Sequence, residues 1–514
     1  MKRLYHRVKH ADDRGAALVL VAASLLLLMG MAAFGTDLAW FYLNSSRIQR
    51  AADAASLGGV IWLPGDEPSS FATAHSVAIQ NGYNNADADT LVDPQRVAGE
   101  LNQLEVTITD RVPTFFLKVF GFDFQDITEV GTAEYIPPLK LGSPANKFGN
   151  DPSCYSSNTF CAGNFWANIH GTRTDTGMGD AYSSYCELGD GSNNSCDKNP
   201  QWRETGYLYG LIPGGPSVNI ETLDMAFHYE DGVGNGDQHR TGDHNNFCGS
   251  YSAPSGCVGQ EVTVNVYAPD PTPLDVSDNP FVCRTVYSPT AQVDPDDDPP
   301  FANPLANWNW DAVCGGAINT SSSPDGIWVV QIVANAGNGR TTVLGNGGED
   351  FSGLNRYSIR TSTGNLFALG DFSIYNNASG STTSFFLAEV PDYYGGKTFV
   401  VEMYDTGESA ATGTLQPIDP SGNVFDDGEC RIYSRTITQT AWTLQQTIPS
   451  GVDCQESVSP GEYHGLWLKF EMDLDPTYSC GTCWWMMNYA YPSGVNDTTT
   501  WRAFMVGNPI HLVP

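Results

Sequence analysis

From Gly15 to Thr36 no residue carries a charge, and the run includes Leu18-Val19-Leu20-Val21 and Leu25-Leu26-Leu27-Leu28. As a helix, at about 1.5 Å per residue, it covers roughly 33 Å, enough for a hydrocarbon core of about 30 Å. Lys2, Arg3, Arg7, Lys9 and Arg14 precede it and Asp37 follows it. The positive-inside bias then places residues 1–14 in the cytoplasm and everything past Asp37 outside. A cleaved signal peptide is the rival reading, with an apolar region of about 7–15 residues and a small-residue exit site. Here the run is longer and passes into a helical pattern without a break, so a retained single-pass anchor in the cell membrane, residues 15–36, is expected.

Charge and cysteine usage agree with export. Beyond residue 14 the chain holds 20 basic and 56 acidic residues, and such a surface repels phosphate backbones, so no nucleic-acid partner is expected. All twelve cysteines (Cys154, Cys161, Cys186, Cys196, Cys248, Cys257, Cys283, Cys314, Cys430, Cys454, Cys480 and Cys483) lie past the anchor. In an exported, loop-rich chain they read as a disulfide framework whose full connectivity spacing alone does not fix.

After the anchor, Leu38, Phe41, Ser45, Ile48, Ala52 and Ala55 recur every three or four residues, and no proline occurs before Pro64. One helix of about 45 residues is the natural reading, half in lipid and half amphipathic outside. A second helix is expected from Phe71 to Asn81, with Ser69 or Ser70 as N-cap and Gly82 as its stop. Strands are expected over Leu104–Thr109 and Ile127–Tyr135, with a short apolar helix from Thr114 to Phe120 between them. Residues 37–136 thus read as a small α+β stem, and the Gly/Ser/Pro/Asn-rich stretch 137–152 reads as a linker.

Past the linker, short runs rich in Val, Ile, Tyr, Phe, Trp and Thr alternate with turn clusters, the pattern of β-sandwiches. An internal parallel organises them. Gly259–Tyr267 resembles Gly396–Tyr404; Cys283-Arg284-Thr285-Val286-Tyr287-Ser288 resembles Cys430-Arg431-Ile432-Tyr433-Ser434; a second cysteine follows in each (Cys314, Cys454); then Gly326-Ile327-Trp328 resembles Gly465-Leu466-Trp467. The chain is therefore expected to be mainly β, with two tandem disulfide-braced β-sandwich domains at 153–368 and 369–514, bridged by Cys283–Cys314 and Cys430–Cys454.

The N-terminal stretch resembles the TadE/TadG-like family, membrane-anchored components of tight-adherence (Flp-type) pilus assembly. The resemblance rests on Arg14-Gly15-Ala16-Ala17, Gly35-Thr36-Asp37, Tyr42-Leu43 and Ile48-Gln49-Arg50-Ala51-Ala52-Asp53-Ala54-Ala55-Ser56-Leu57. It extends more loosely to about residue 135 through Val112-Pro113-Thr114-Phe115-Phe116 and Phe120-Gly121-Phe122. It singles out Gly15, Asp37, Tyr42, Gln49, Ala52, Asp53, Ala54 and Ala55 as the motif helix. What it implies is an envelope protein with a pilin-like long helix and stem, tied to pilus biogenesis or surface attachment. Prepilin-like members carry a glutamate where this chain has Leu20. The Asp-x-Ser-x-Ser motif of von Willebrand type A domains is missing too, since Asp371-Phe372-Ser373-Ile374-Tyr375 fails at its last position.

Several short motifs have both a chemical and a plainer reading. Gly396-Lys397-Thr398 lacks the earlier glycine and following helix of a phosphate loop and reads as a turn entering a strand. Cys480-Gly481-Thr482-Cys483 lacks the helix N-terminus of a redox motif and the further ligands of a zinc site, which leaves a structural bridge. His228, His239 and His244 beside Asp231, Asp237 and Asp243 could ligate a transition metal, but a solvated loop is the simpler reading. Asp294, Asp296, Asp297 and Asp298 lie among prolines and read as a hydrated linker rather than a calcium site. No Gly-x-Ser-x-Gly or His-Glu-x-x-His occurs. Trp308, Trp310, Trp442, Trp484, Trp485 and Trp501 could stack on a sugar or pack a core.

The expectation is a single-pass envelope protein, not an enzyme, without cofactor or metal. Its expected partners are the lipid bilayer, other pilus-assembly membrane proteins and, in the adhesin alternative, a surface glycan. A cell-surface adhesin and an exported hydrolase are the alternatives.

Overall fold

A computed structural model of the chain describes residues 2–63, 67–151, 165–171, 176–183, 186–188, 192–196, 199–225, 244–245, 260–270, 272–287, 310–323, 326–336, 353–378, 382–407, 411–492, 495–507 and 509–513. They form two compact units, residues 1–137 with 507–514, and residues 138–506. Among the described residues α-helix is confined to the first unit and strands dominate the second.

The first unit is built on α1 (Lys2–Val60). Its apolar run is bare of contacts within the chain: Leu20, Leu26 and Leu28 are 67%, 68% and 59% exposed, so none of the described residues covers them. The helix is long and apolar enough to cross a membrane. Beyond Asp37 one face becomes buried. Ile48, Ala51, Ala52 and Ala55 pack on α2 (Glu67–Gln80) and on an antiparallel sheet of β1 (Thr90–Arg96), β2 (Gln103–Pro113) and β3 (Phe124–Tyr135). Along β2 burial alternates, with Leu104, Val106 and Ile108 facing the helices, the period-2 signature of a half-buried strand. Small residues set the helix–sheet distance: a Cβ at Gly131 of β3 would lie 2.5 Å from backbone atoms of Ala52 and Asp53.

Three local details depart from the sequence reading. α2 starts at Glu67, because Pro68 suits a first helical turn where its missing N–H costs nothing; Ser70 is therefore buried inside the helix and not its cap. Thr114–Phe120 is no helix beyond a 3-10 turn at Leu117–Phe120, which Gly121 ends in the left-handed region at φ 88°. The final strand Ile510–Leu512 pairs with Ala133–Tyr135 of β3, so the end of the chain belongs to the first unit rather than to the second β half.

The second unit holds two large antiparallel sheets. One runs, in strand order, through Asp311–Ala312, Ile220–Leu223, Gly353–Thr361, Phe165–His170, Asp371–Ala378, Val495–Met505, Thr398–Tyr404, Leu466–Asp473, Cys430–Thr436 and Thr443–Ile448. The other runs through Phe281–Tyr287, Gln260–Tyr267, Trp328–Ala336, Tyr207–Ile212, Asn365–Leu369, Lys140–Leu141, Thr382–Glu389, Trp484–Ala490, Gly413–Ile418 and Glu456–Val458. Aromatic side chains join them: Tyr209 and Tyr357 hydroxyls are 2.9 Å apart, and the Phe399–Trp485 and Phe385–Trp501 ring centroids 5.1 and 4.9 Å apart.

The two β halves are fused edge to edge, since Phe165–His170 pairs with Asp371–Ala378 and Lys140–Leu141 sits between Asn365–Leu369 and Thr382–Glu389. Part of the expected linker is thus sheet. Leu141 and Phe148 are buried, and their apolar burial outweighs the turn-rich composition around them. The sequence parallel between halves does not extend to strand order: Gln260–Tyr267 is central in its trio, whereas in the second trio Leu466–Asp473 is central.

Cys283–Cys314, Cys430–Cys454 and Cys480–Cys483 are bridged, and among the described residues no cysteine is free. Cys186 and Cys196 stand opposite each other in a two-stranded ladder. Cys154, Cys161, Cys248 and Cys257 lie outside the described residues, as do His228, His239, Asp231, Asp237, Asp243, Trp308 and Asp294–Asp298.

Candidate functional site

Where the apolar run of α1 ends, Asp37 is fully buried. Its Oδ1 accepts a hydrogen bond from the N–H of Phe115 (2.8 Å), and its Oδ2 accepts from those of Phe116 (2.9 Å) and Leu117 (2.7 Å). These amides open the 3-10 turn at the tip of the β2–β3 hairpin, whose first N–H groups have no partner within the turn and suit an anion. One turn further along α1, Trp40 meets Phe115 edge to face with ring centroids 5.3 Å apart. Asp37, which the helix motif singled out, therefore fastens the hairpin tip to the helix at one level.

Of the other motif residues, Gln49, Ala52 and Ala55 take part in the contact between helix and sheet. The Gln49 side-chain amide donates to Asp53 Oδ1 and to the carbonyl of Val130 in β3, both at 2.8 Å. Ala52 and Ala55 are fully buried, and Ala54 is half-buried. Ser45 donates to Glu129 of β3. Tyr42 points away and is exposed, and Gly15 lies within the apolar part of the helix. What the arrangement can do is hold a sheet rigidly against a long helix.

In the second unit a small cleft is lined by His170, Asp180, Tyr182, Ser183, Trp202 and Tyr207 among others. Asp180 Oδ1 accepts from the Tyr207 hydroxyl (2.7 Å) and the Tyr182 N–H (2.9 Å). Burial pushes its carboxyl up to about 6, against those hydrogen bonds; nearby Asp371 raises it further and Arg203 lowers it. Arg203 pairs with buried Asp371 and lies over the Tyr182 ring, 3.7 Å from its centroid. His170 Nδ1 and Ser183 Oγ are 2.7 Å apart, both residues buried. The sequence reading missed this group, because its members come from separate strands and loops and only Asp371 fell in a motif. Chemically it is a buried polar network that ties the strand Tyr207–Ile212 to Phe165–His170.

Of the tryptophans considered for a sugar surface, Trp485 and Trp501 are buried. Trp310 lies beneath Arg360, and Trp442 beneath Arg435 and Lys469, the cations 3.9 to 4.7 Å from the ring centroids. Among the described residues no group of three or more His, Cys, Asp or Glu could hold a metal ion. Gly396 turns at φ 78° into the strand Thr398–Tyr404, without a helix to receive phosphate.

A small-residue helix–sheet contact and a clamped hairpin define a helical stem whose apolar run is long and apolar enough to cross a membrane, in a chain that also carries a large disulfide-braced β unit. Residues 15–61 of that stem match the family described as Flp pilus-assembly TadE/G-like, the family that the helix motif resembles. No curated protein matches the chain.

Proposed function

We propose that this chain is a membrane-anchored envelope protein with a structural or assembly role in Flp/Tad-type pili. One observation carries the reading. The family match covers the helix from the apolar run, long enough to cross a membrane, to the end of its sheet-packing face, where Ile48, Ala51, Ala52 and Ala55 are buried. In this reading α1 is the tether, residues 1–14 are cytoplasmic, and both units project outside, where twelve cysteines suit an oxidising compartment. The β unit then acts through its surface on other pilus-assembly membrane proteins, and no catalytic step is assigned to it.

Deleting the gene and scoring piliation by electron microscopy, together with surface attachment, tests the proposal. Loss of pili, restored by the full-length chain, is the expected outcome. Unchanged piliation and attachment would sink it.

A further inference from the structure

The tip of the β2–β3 hairpin is unusually apolar for an exposed turn. Phe115, Phe116, Val119, Phe120, Phe122 and Phe124 are 46% to 80% exposed, and Lys118 and Asp123 are its charged residues. A soluble surface rarely shows six large apolar side chains on one loop without a binding role.

What covers them follows from where the loop is held. Asp37, the first charged residue after the run from Gly15 to Thr36, accepts the N–H groups of Phe115, Phe116 and Leu117. The hairpin also runs in the matching direction. Gly131 of β3 lies against Ala52 and Asp53, and Glu129 meets Ser45 further down the helix. From Gly131 back to Phe124 the strand covers about 23 Å, which is roughly 15 helical residues and ends level with Asp37. The loop beyond Phe124 therefore lies at the level of Asp37, where the apolar run ends. Trp40, packed on Phe115, stands where aromatic belts mark a membrane–water boundary.

We propose that this hairpin tip dips into the lipid leaflet on the stem's side of the bilayer, giving the stem a second membrane contact beside its helix. The inference rests on α1 being a membrane anchor. Phenylalanine rings would sit at the acyl boundary, with Lys118 reaching to headgroup phosphates. Two contacts fix both tilt and rotation of the stem, where a single helix leaves rotation free.

The test uses the full chain in vesicles of phosphatidylethanolamine and phosphatidylglycerol, with photoreactive p-benzoylphenylalanine placed singly at Phe120, Leu26 or Leu101. Leu26 lies mid-run in the apolar helix; Leu101 is exposed at the opposite end of β2. Lipid adducts at Phe120 within a few-fold of those at Leu26, and none at Leu101, are expected. Adducts at Leu26 alone, or a protein–protein adduct at Phe120, would overturn the inference while leaving the anchor intact. Adducts at all three positions would overturn the depth assigned to the hairpin. Adducts at neither Leu26 nor Phe120 would remove the anchor and this inference with it.

Discussion

Two buried aspartates show how differently one side chain type is used in the two units. Asp37 has both carboxylate oxygens taken by three backbone amides, so its burial is compensated donor by donor. Asp180 is also buried, yet its carboxyl rises to about 6 because burial outweighs the hydrogen bonds from Tyr182 and Tyr207. A folded-state value above the usual 3.8 means that folding favours the protonated form. The stabilising contribution is then complete below about pH 4 and declines as pH rises toward 6, the reverse of a salt-bridged carboxylate. Asp180→Asn does not titrate. Its stability relative to the parent should improve between pH 4 and pH 7 by up to about 3 kcal/mol by linkage, read from urea midpoints at the two pH values. A difference that stays constant with pH would contradict the shift.

At the scale of elements, the first unit depends on how closely β3 approaches α1. Gly131 has no room for a side chain, since even a Cβ would overlap backbone atoms of Ala52 and Asp53, which have no rotamer to yield. Gly131→Leu should destabilise the unit by about 1–3 kcal/mol or more, as overpacking does, seen as an earlier loss of helical circular dichroism in urea. An unchanged midpoint would mean that the sheet does not need this contact. Local signals of this unit were legible in the chain: an uncharged run, a three-to-four spacing, alternation along β2. Strand β1 was not, because Asp93 and Pro94 break its β pattern; Pro94 is tolerated on a strand at the sheet edge. Nor was Asp37's role, although its place in the motif singled it out. Its partners lie 78 to 80 residues away, and nothing local at Phe115 announces a carboxylate. The same holds for Ile510–Leu512, a strand too short for periodicity and placed by pairing with β3.

For the whole molecule, the two units differ most in covalent chemistry. Every cysteine lies between residues 154 and 483, inside the unit spanning 138–506, and the first unit contains none. The first is held by apolar helix–sheet packing, the second by sheets that both β halves share, with bridges closing Cys283–Cys314 and Cys430–Cys454 across separations of 31 and 24 residues. Each of these two bridges stabilises by about 3–4 kcal/mol in the chain-entropy model, while the short Cys480–Cys483 loop contributes less. Cys430 and Cys454 are moreover fully buried, so reducing them places two thiols in a packed interior. Because Phe165–His170 pairs directly with Asp371–Ala378, loosening one half exposes the ladder edge of the other, and the sheets should respond as one body. Reductant added to the full chain should therefore lower the β transition sharply in a single step and leave the helical signal of the stem at its original midpoint. Calorimetry alongside circular dichroism separates the two. Helical signal that falls together with the β transition would show that stem stability depends on the bridged unit, and two separate β transitions would show that the halves, despite their common ladders, unfold independently.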